Sequence, residues 1–213
     1  MTRREQRRLT FLRVSGWEHV QITPLAGDAS NRRYLRLTGN PDHRRAILMD
    51  ADPNTVGMQQ AFVEMASYLV AAGFSAPHIF AADLAQGFVL LEDFGDAVFA
   101  RMLVDAPAQE AALYHSAADC LAAPHRQPAA KHLLQTTPDV LAKLIAPAFE
   151  WYAAKAAPDN TQKAQTATVA LLATSLQRHA PQCSVTVLRD FHAENLIWLP
   201  GRKGICRVGL LDF

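Results

Sequence analysis

Near the C-terminal end of the sequence, three polar side chains have the types and the spacing that phosphoryl transfer requires. Asp190 precedes Asn195 by five residues, and Asp212 follows Asn195 by seventeen. Transfer from a Mg-nucleotide needs one carboxylate to orient the acceptor hydroxyl and take its proton, and an amide oxygen with a second carboxylate to bind Mg²⁺. We therefore expect Asp190 to be the catalytic base, and Asn195 and Asp212 to be the metal ligands.

The hydrophobic pattern around these residues predicts a loop followed by a hairpin. Apolar runs at 196–199 and 205–211 predict two short strands, with a turn at 200–204 between them. A hairpin would hold both metal ligands rigidly close, and the loop before it would present the base. The alternative is that Asp190 only caps a turn and Asn195 only begins a strand.

The loop at 188–195, called the catalytic loop below, keeps part of the kinase pattern His-x-Asp-x-x-x-x-Asn. The Asp and Asn spacing is preserved, and Leu188 occupies the position of the histidine. His192 lies inside the loop, where it could approach a phosphate or the acceptor. For His192 the sequence favours a positional role over a catalytic one.

The whole chain resembles the aminoglycoside phosphotransferase/choline kinase-like family, and within it the bacterial anomeric kinases of cell-wall amino sugars, the N-acetylmuramate/N-acetylglucosamine kinases. The strings that resemble the family, in its order, are residues 27–37, 47–51, 87–96, 188–199 and 208–213. The resemblance implies an α+β, two-lobed protein-kinase-like fold. Residues 1–95 would form a nucleotide-binding sheet lobe, and residues 96–213 a helical lobe with the catalytic loop and the metal-binding hairpin.

The resemblance also implies roles for two N-terminal segments. The loop over the nucleotide phosphates, called the phosphate loop, would contain Gly27, Ala29, Ser30 and Asn31. Its small side chains let backbone N–H groups approach an anion, although an ordinary surface turn is the alternative. The hinge between the lobes, whose backbone groups would meet the adenine, would be Leu91, Glu92 and Asp93. The alternative for Glu92 and Asp93 is that they are solvated linker charges.

By this resemblance the chain is an ATP- and Mg²⁺-dependent phosphotransferase with an alcohol group as acceptor. The implied substrate is the anomeric hydroxyl of N-acetylmuramate or N-acetylglucosamine, in cell-wall sugar recycling. An anomeric hydroxyl is more acidic than an ordinary alcohol, so modest base assistance suffices and positioning supplies most of the acceleration. A kinase of another acceptor, such as an aminoglycoside or a choline-like alcohol, and a non-catalytic nucleotide-binding module are the alternatives.

The chain departs from the kinase pattern at the lysine that holds the phosphates. Kinases place this lysine on the third strand, and the corresponding residue here is Met49. Either Arg32 or Arg33, of which Arg33 is included in the predicted nucleotide site, supplies the charge, or metal and backbone alone hold the phosphates. Without the lysine, its usual helix partner, Glu64, is expected to face solvent.

A second departure is length. Members of the family continue well beyond the metal-binding Asp, in helices that build most of the acceptor pocket. This chain ends one residue after Asp212, so we expect an incomplete helical lobe. A fragment, a truncated reading frame and a naturally minimal variant all agree with the sequence.

Composition excludes several other classes of protein. The chain has 213 residues, 50% of them hydrophobic and 19% charged, which excludes a disordered chain and permits a sizeable core. A net charge of +1 argues against a nucleic-acid binder. No signal peptide or membrane-spanning run is visible, so we expect a cytoplasmic protein. That its partner is a small sugar is implied by the resemblance alone. Its three cysteines, Cys120, Cys183 and Cys206, lack metal-ligand spacing and predict small buried thiols.

Periodicity predicts a small sheet with one inserted helix, then a helical region. Strands are predicted at 32–37, 45–49, 78–82, 88–91 and 185–187, and helices beginning at Gln60 and covering 113–121, 139–152 with a division at Pro147, and 161–179. The arginines among the first eight residues predict a solvated helix start.

Overall fold

The structure is a computed structural model that describes residues 1–25, 32–40, 42, 45–56, 59–126, 129, 133–156, 158–182 and 185–213. The chain forms two compact units. The first combines Met1–Ala123 with Leu188–Phe213, and the second is Pro124–Val187. The predicted lobe boundary after residue 95 is a different division and stays a prediction. The phosphate loop lies outside the described residues.

A five-stranded antiparallel sheet is the centre of the first unit. Its strands are β1 (Gln21–Pro24), β2 (Arg33–Thr38), β3 (Ala46–Asp50), β4 (Ile79–Asp83) and β5 (Phe88–Glu92). They are ordered β1-β2-β3-β5-β4. The central strands β3 and β5 are covered on both faces, which explains their continuous apolar sequences. The four strands predicted for this region are confirmed to within one residue.

Helices cover both faces of this sheet. After the helix α1 (Arg3–Val14) comes Trp17, which packs with Phe88 on one face. A single turn, α2 (Pro53–Val56), precedes α3 (Gln60–Ala71), whose Phe62 packs with Val89 on the other face. Phe88 and Val89 point to opposite faces because they are neighbours in one strand. The predicted helix at Gln60 and the predicted helix start among the first eight residues are confirmed, whereas β1 was not predicted.

Arg4 attaches α1 to the sheet through a buried carboxylate. Its Nη2 and Nε lie 2.6 and 2.8 Å from Oδ1 of Asp50, and its guanidinium lies 4.0 Å from the centroid of the Phe88 ring. Arg8 Nη1 adds a longer contact of 3.7 Å to Oδ2 of Asp50. The Asp50 side chain is only 5% exposed, so it needs these positive charges. The prediction of a solvated helix start is therefore wrong for Arg4 and Arg8.

The rest of the first unit contains two helices and a small hairpin. The helices are α4 (Phe99–Asp105) and α5 (Glu110–Ala122), and the hairpin strands are β6 (Leu196–Trp198) and β7 (Val208–Leu210). α5 confirms the helix predicted at 113–121, and α4 was not predicted. The second hairpin strand is shorter than predicted, because its first residues form the 3₁₀ turn Gly204–Arg207.

The second unit is helical. It contains α6 (Pro138–Lys143), a π-helical segment (Ala148–Ala153), the single turn α7 (Ala154–Ala156) and α8 (Thr161–His179). The predicted division at Pro147 is confirmed, as expected for a residue without a backbone N–H. The predicted strand at 185–187 is wrong, since these residues are irregular. Among the described residues, no helix is long and apolar enough to cross a membrane.

The cysteines differ in environment. Cys120 is a free, buried thiol on α5, and burial raises its pKa to about 12, which keeps it protonated and unreactive. Cys206 is half-buried and lies 3.1 Å from the carbonyl oxygen of Gly73, to which its thiol donates. Cys183 lies outside the described residues.

The ion pair between Arg4 and Asp50 predicts a stability effect. Arg4→Ala would leave the buried carboxylate with only the more distant Arg8, and we expect the free energy of unfolding to fall by about 2 to 3 kcal/mol. The matched control is Arg3→Ala, which removes an exposed arginine from the same helix and should change stability by less than about 0.5 kcal/mol. Urea denaturation measures both, and equal effects would show that the ion pair contributes nothing specific.

Candidate active site

The catalytic loop is a tight turn closed by its own hydrogen bonds. The backbone N–H of Asn195 donates to the carbonyl oxygen of His192 at 2.9 Å. The side-chain Nδ2 of Asn195 donates to the carbonyl oxygen of Asp190 at 3.0 Å. One asparagine therefore fixes both the loop before it and the strand that it begins.

Asp190 projects from this loop beside an imidazole. His192 Nε2 lies 3.2 Å from Asp190 Oδ1, and His192 Nδ1 accepts from the backbone N–H of Glu194 at 3.3 Å. The Asp190 side chain is 63% exposed, so an acceptor hydroxyl can reach its carboxylate. The position suits the predicted role of base, which stays a prediction.

The hairpin brings the two predicted metal ligands to the same end of its strands. Asn195 immediately precedes β6, and Asp212 lies two residues after β7. The backbone N–H of Leu211 donates to the carbonyl oxygen of Asn195 at 3.1 Å, which extends the ladder past the strand ends. The predicted hairpin is thus confirmed, and its role in holding two metal ligands stays a prediction.

The donor set at this end of the hairpin fits Mg²⁺. Since Asn195 uses Nδ2 inside the loop, its Oδ1 is the amide atom left for a cation, and Asp212 supplies a carboxylate. No group of three or more His, Cys, Asp or Glu side chains within the described ranges could hold a metal. Mg²⁺ commonly takes only one or two protein oxygens and completes its shell with phosphates and water, so two ligands are enough.

Arg32 lies beside the end of the hairpin that carries the two predicted metal ligands. Its Nη1 lies 3.5 Å from Oδ1 of Asp212, with side chains 25% and 41% exposed. Arg33 is exposed on β2, where it lies opposite Asp50 in the register with β3. Of the two arginines proposed to replace the lysine, the structure brings Arg32 to the predicted site.

The position of the kinase lysine is apolar in this protein. Met49 has no exposed surface and belongs to the cluster that contains Phe62 and Val89. Glu64 is exposed on α3 and accepts from Gln60 Nε2 at 2.6 Å. The expectation that Glu64 faces solvent is confirmed.

Phe213 fixes the end of the hairpin to α3. Its ring stacks on Phe62 with centroids 5.3 Å apart and an interplanar angle of 3°. Asp212 thus lies between a packed aromatic ring and the last strand. This contact joins the hairpin to the same apolar cluster that covers one face of the sheet.

The charges of the predicted hinge are occupied by ion pairs. Glu92 Oε1 accepts from Arg202 Nη2 at 2.5 Å, and the backbone N–H of Glu92 donates to the carbonyl oxygen of His78 at 2.9 Å. Arg202 also donates through Nη1 to the hydroxyl of Ser75 at 2.8 Å. The alternative that Glu92 is a solvated linker charge is therefore wrong.

Asp93 is more deeply buried and more strongly paired. Its side chain is 2% exposed, and its Oδ2 lies 2.9 Å from Arg36 Nε and 3.0 Å from Arg45 Nη2. Burial lowers the pKa of Arg36, but the hydrogen bond to Asp96 and the charge of Asp93 outweigh it, so that the pKa rises above its ordinary value. Asp93 is thus not a solvated charge either. Leu91 is 4% exposed in β5, and the adenine contact of the hinge backbone stays a prediction.

Sequence reasoning did not find the arginines that pair with the hinge. Arg202 follows Glu92 by 110 residues, and Arg36 precedes Asp93 by 57. Charged residues near turns give no local signal of such distant partners. The available signal was a pair of acidic residues, Glu92 and Asp93, at the end of an apolar run. A buried carboxylate needs a positively charged partner.

Known proteins resemble this chain in sequence. The phosphotransferase enzyme family matches residues 21–213. The N-acetylmuramate/N-acetylglucosamine kinase of Caulobacter vibrioides is 35% identical over 99% of this chain, and that of Pseudomonas aeruginosa is 31% identical over 94%. The chain spans 67% of the length of the first kinase and 57% of the second.

Solved structures with the same fold have other substrates in their names. An aminoglycoside phosphotransferase from Streptomyces rimosus, in complex with ADP and streptomycin, has a TM-score of 0.62 at 16% identity and covers 97% of this chain, which covers 75% of it. Choline kinase from Cryptosporidium parvum has a TM-score of 0.59 at 11% identity, with 98% and 64% covered. These likenesses establish the predicted kinase-like α+β fold. With the family match over residues 21–213, they show that this chain belongs to the phosphotransferase enzyme family.

Proposed function

We propose that the chain is an ATP-dependent kinase that phosphorylates the anomeric hydroxyl of N-acetylmuramate or N-acetylglucosamine. The observation that supports this most strongly is the arrangement of Asp190, Asn195 and Asp212 around one end of the β6–β7 hairpin. The names of the relatives in Caulobacter and Pseudomonas support the choice of sugar. The ADP in the name of the Streptomyces structure supports an adenine nucleotide.

In the proposed reaction, Asp190 orients the sugar hydroxyl and accepts its proton as the oxygen attacks the γ-phosphorus of ATP. The bond from this phosphorus to the β,γ-bridging oxygen breaks, and ADP leaves. Asn195 Oδ1 and the Asp212 carboxylate would hold Mg²⁺, which would neutralise charge on the phosphates. Because an anomeric hydroxyl is more acidic than an ordinary alcohol, an exposed carboxylate is a sufficient base. Most of the acceleration then comes from positioning and charge neutralisation.

Arg32 supplies the positive charge that a lysine provides in other kinases. In this chain Met49 occupies the position of that lysine. Its guanidinium lies beside Asp212. It is therefore placed to pair with the phosphates of a nucleotide that binds near Asn195 and Asp212. A guanidinium can contact two phosphate oxygens at once, which suits it to the task of the absent lysine.

The first prediction from this proposal concerns the acceptor. We expect Mg²⁺- and ATP-dependent ADP release with N-acetylmuramate and N-acetylglucosamine, and no release above the acceptor-free rate with choline or an aminoglycoside. Asp190→Ala should lower the sugar-dependent rate by about 100-fold or more. Asp119→Ala, which removes an exposed carboxylate from α5, is the matched control and should retain the rate.

Three results would contradict this prediction in different ways. Turnover of choline or an aminoglycoside would assign the chain to another acceptor of the same chemistry. ATP binding without ADP release, whichever alcohol is present, would identify a nucleotide-binding module. A rate that survives Asp190→Ala would exclude Asp190 as the base.

The second prediction separates the two arginines. Arg32→Ala should weaken the binding of Mg-ATP by about tenfold or more, because it removes the cation beside Asp212. Arg33→Ala is the matched comparison, since it removes the same charge one residue away from an exposed position, and it should have a much smaller effect. Isothermal titration calorimetry measures both. A larger loss for Arg33→Ala would reverse the assignment, and unchanged affinity in both variants would leave metal and backbone as the phosphate ligands.

A further inference from the structure

We propose that His192 is a positioning residue for Asp190. Its Nε2–H donates to Oδ1 of Asp190 and leaves Oδ2 of the same carboxylate to accept the proton of the sugar hydroxyl. The proposal rests on the proposed function, because it assigns a task to the candidate base. It is argued from the contacts of the catalytic loop itself.

The first step is the protonation state of the His192 ring. The backbone N–H of Glu194 points at Nδ1 from 3.3 Å. A backbone N–H can only donate, so Nδ1 must present its lone pair. In a neutral imidazole the ring proton then lies on Nε2.

The second step is the destination of that proton. Two groups lie near Nε2, the Asp190 carboxylate oxygen Oδ1 at 3.2 Å and the Asn195 amide nitrogen Nδ2 at 3.3 Å. Nδ2 has two N–H groups and donates one of them to the carbonyl oxygen of Asp190 at 3.0 Å. Once Nε2 carries the ring proton, it cannot accept the other. The proton on Nε2 therefore goes to the carboxylate. This assignment pairs the backbone N–H of Glu194 with Nδ1 and the proton on Nε2 with the Asp190 carboxylate.

The third step is the consequence for catalysis. The Asp190 side chain is 63% exposed, so without a partner it would sample several rotamers. A hydrogen bond from a ring that the backbone of Glu194 holds in place restricts this rotation. A charge-assisted bond of this kind is stronger than a neutral one, and correct orientation of a catalytic group accounts for a large share of enzymatic acceleration.

The loop offers no other imidazole for this purpose. Leu188 occupies the place of the histidine in the kinase pattern, and its apolar side chain is 3% exposed. His192 is the only histidine in the sequence between residues 188 and 199. The ring that orients Asp190 thus follows the aspartate by two residues instead of preceding it.

Kinetics of three variants test the proposal. His192→Leu should lower kcat about tenfold or more, because the Asp190 carboxylate loses its orientation. The KM for ATP should be unchanged, because the variant removes no contact to the nucleotide. His192→Gln, whose amide N–H can replace Nε2–H, should recover most of kcat. His115→Leu makes the same change at an exposed histidine of α5 and is the control. Wild-type kcat in His192→Leu, or no recovery in His192→Gln, would overturn the proposal while the kinase function stands.

A spectroscopic measurement separates this proposal from the proposed function. Long-range ¹H–¹⁵N NMR spectra of the full chain, at mildly alkaline pH, report which ring nitrogen of His192 is protonated. We expect a proton on Nε2, and a shift of the Nε2 resonance in Asp190→Ala. A proton on Nδ1, or an Nε2 chemical shift that is the same in the wild type and in Asp190→Ala, would overturn the contact. If the wild-type chain releases no ADP with any acceptor, the proposed function fails and this spectrum alone decides the His192 contact.

Discussion

The attachment of the β6–β7 hairpin to the chain before α4 is the constraint on which the candidate site depends. Each strand of the hairpin has three residues, and an isolated two-stranded hairpin is only marginally stable in water. Here the backbone N–H of Leu210 donates to Ser75 at 2.8 Å and that of Trp198 to Ala97 at 2.8 Å. The hydrogen bonds to Ser75 and Ala97 therefore make the hairpin rigid. The rigid hairpin in turn fixes the positions of Asn195 and Asp212.

Side chains reinforce this attachment from the hinge side. Arg202 lies in the turn between β6 and β7, where it contacts both Glu92 and Ser75. Its guanidinium lies 5.0 Å from the centroid of the Phe94 ring. That ring packs so closely on β7 that a Cβ at Gly209 would lie 2.9 Å from it. The side chains of Glu92 and Asp93 are thus occupied by ion pairs that stabilise the fold. Of the predicted hinge, the backbone groups are the ones that could contact adenine.

Local patterns predicted the candidate base, the candidate metal ligands and the positions of four sheet strands, because spacing and apolar runs are properties of neighbouring residues. The partners of charged groups could not be predicted in the same way. Asp50 pairs with Arg4, which lies 46 residues earlier on α1. Because no local pattern in the sequence indicates this partner, the arginines of α1 were predicted to be solvated. The irregular segment at 185–187 is the opposite error, because its β-branched residues favour a strand only when a partner strand is present.

In the function proposed above, the catalytic loop and the hairpin direct phosphate from ATP to the anomeric oxygen of an amino sugar. The most direct measurement is the ³¹P NMR spectrum, with proton coupling, of the product formed from Mg-ATP and N-acetylmuramate by the wild-type chain. The account predicts a new phosphomonoester signal whose phosphorus couples to the proton on C1 of the sugar. Phosphorus coupled to a proton at any other carbon, or no phosphorylated sugar at all, would contradict it.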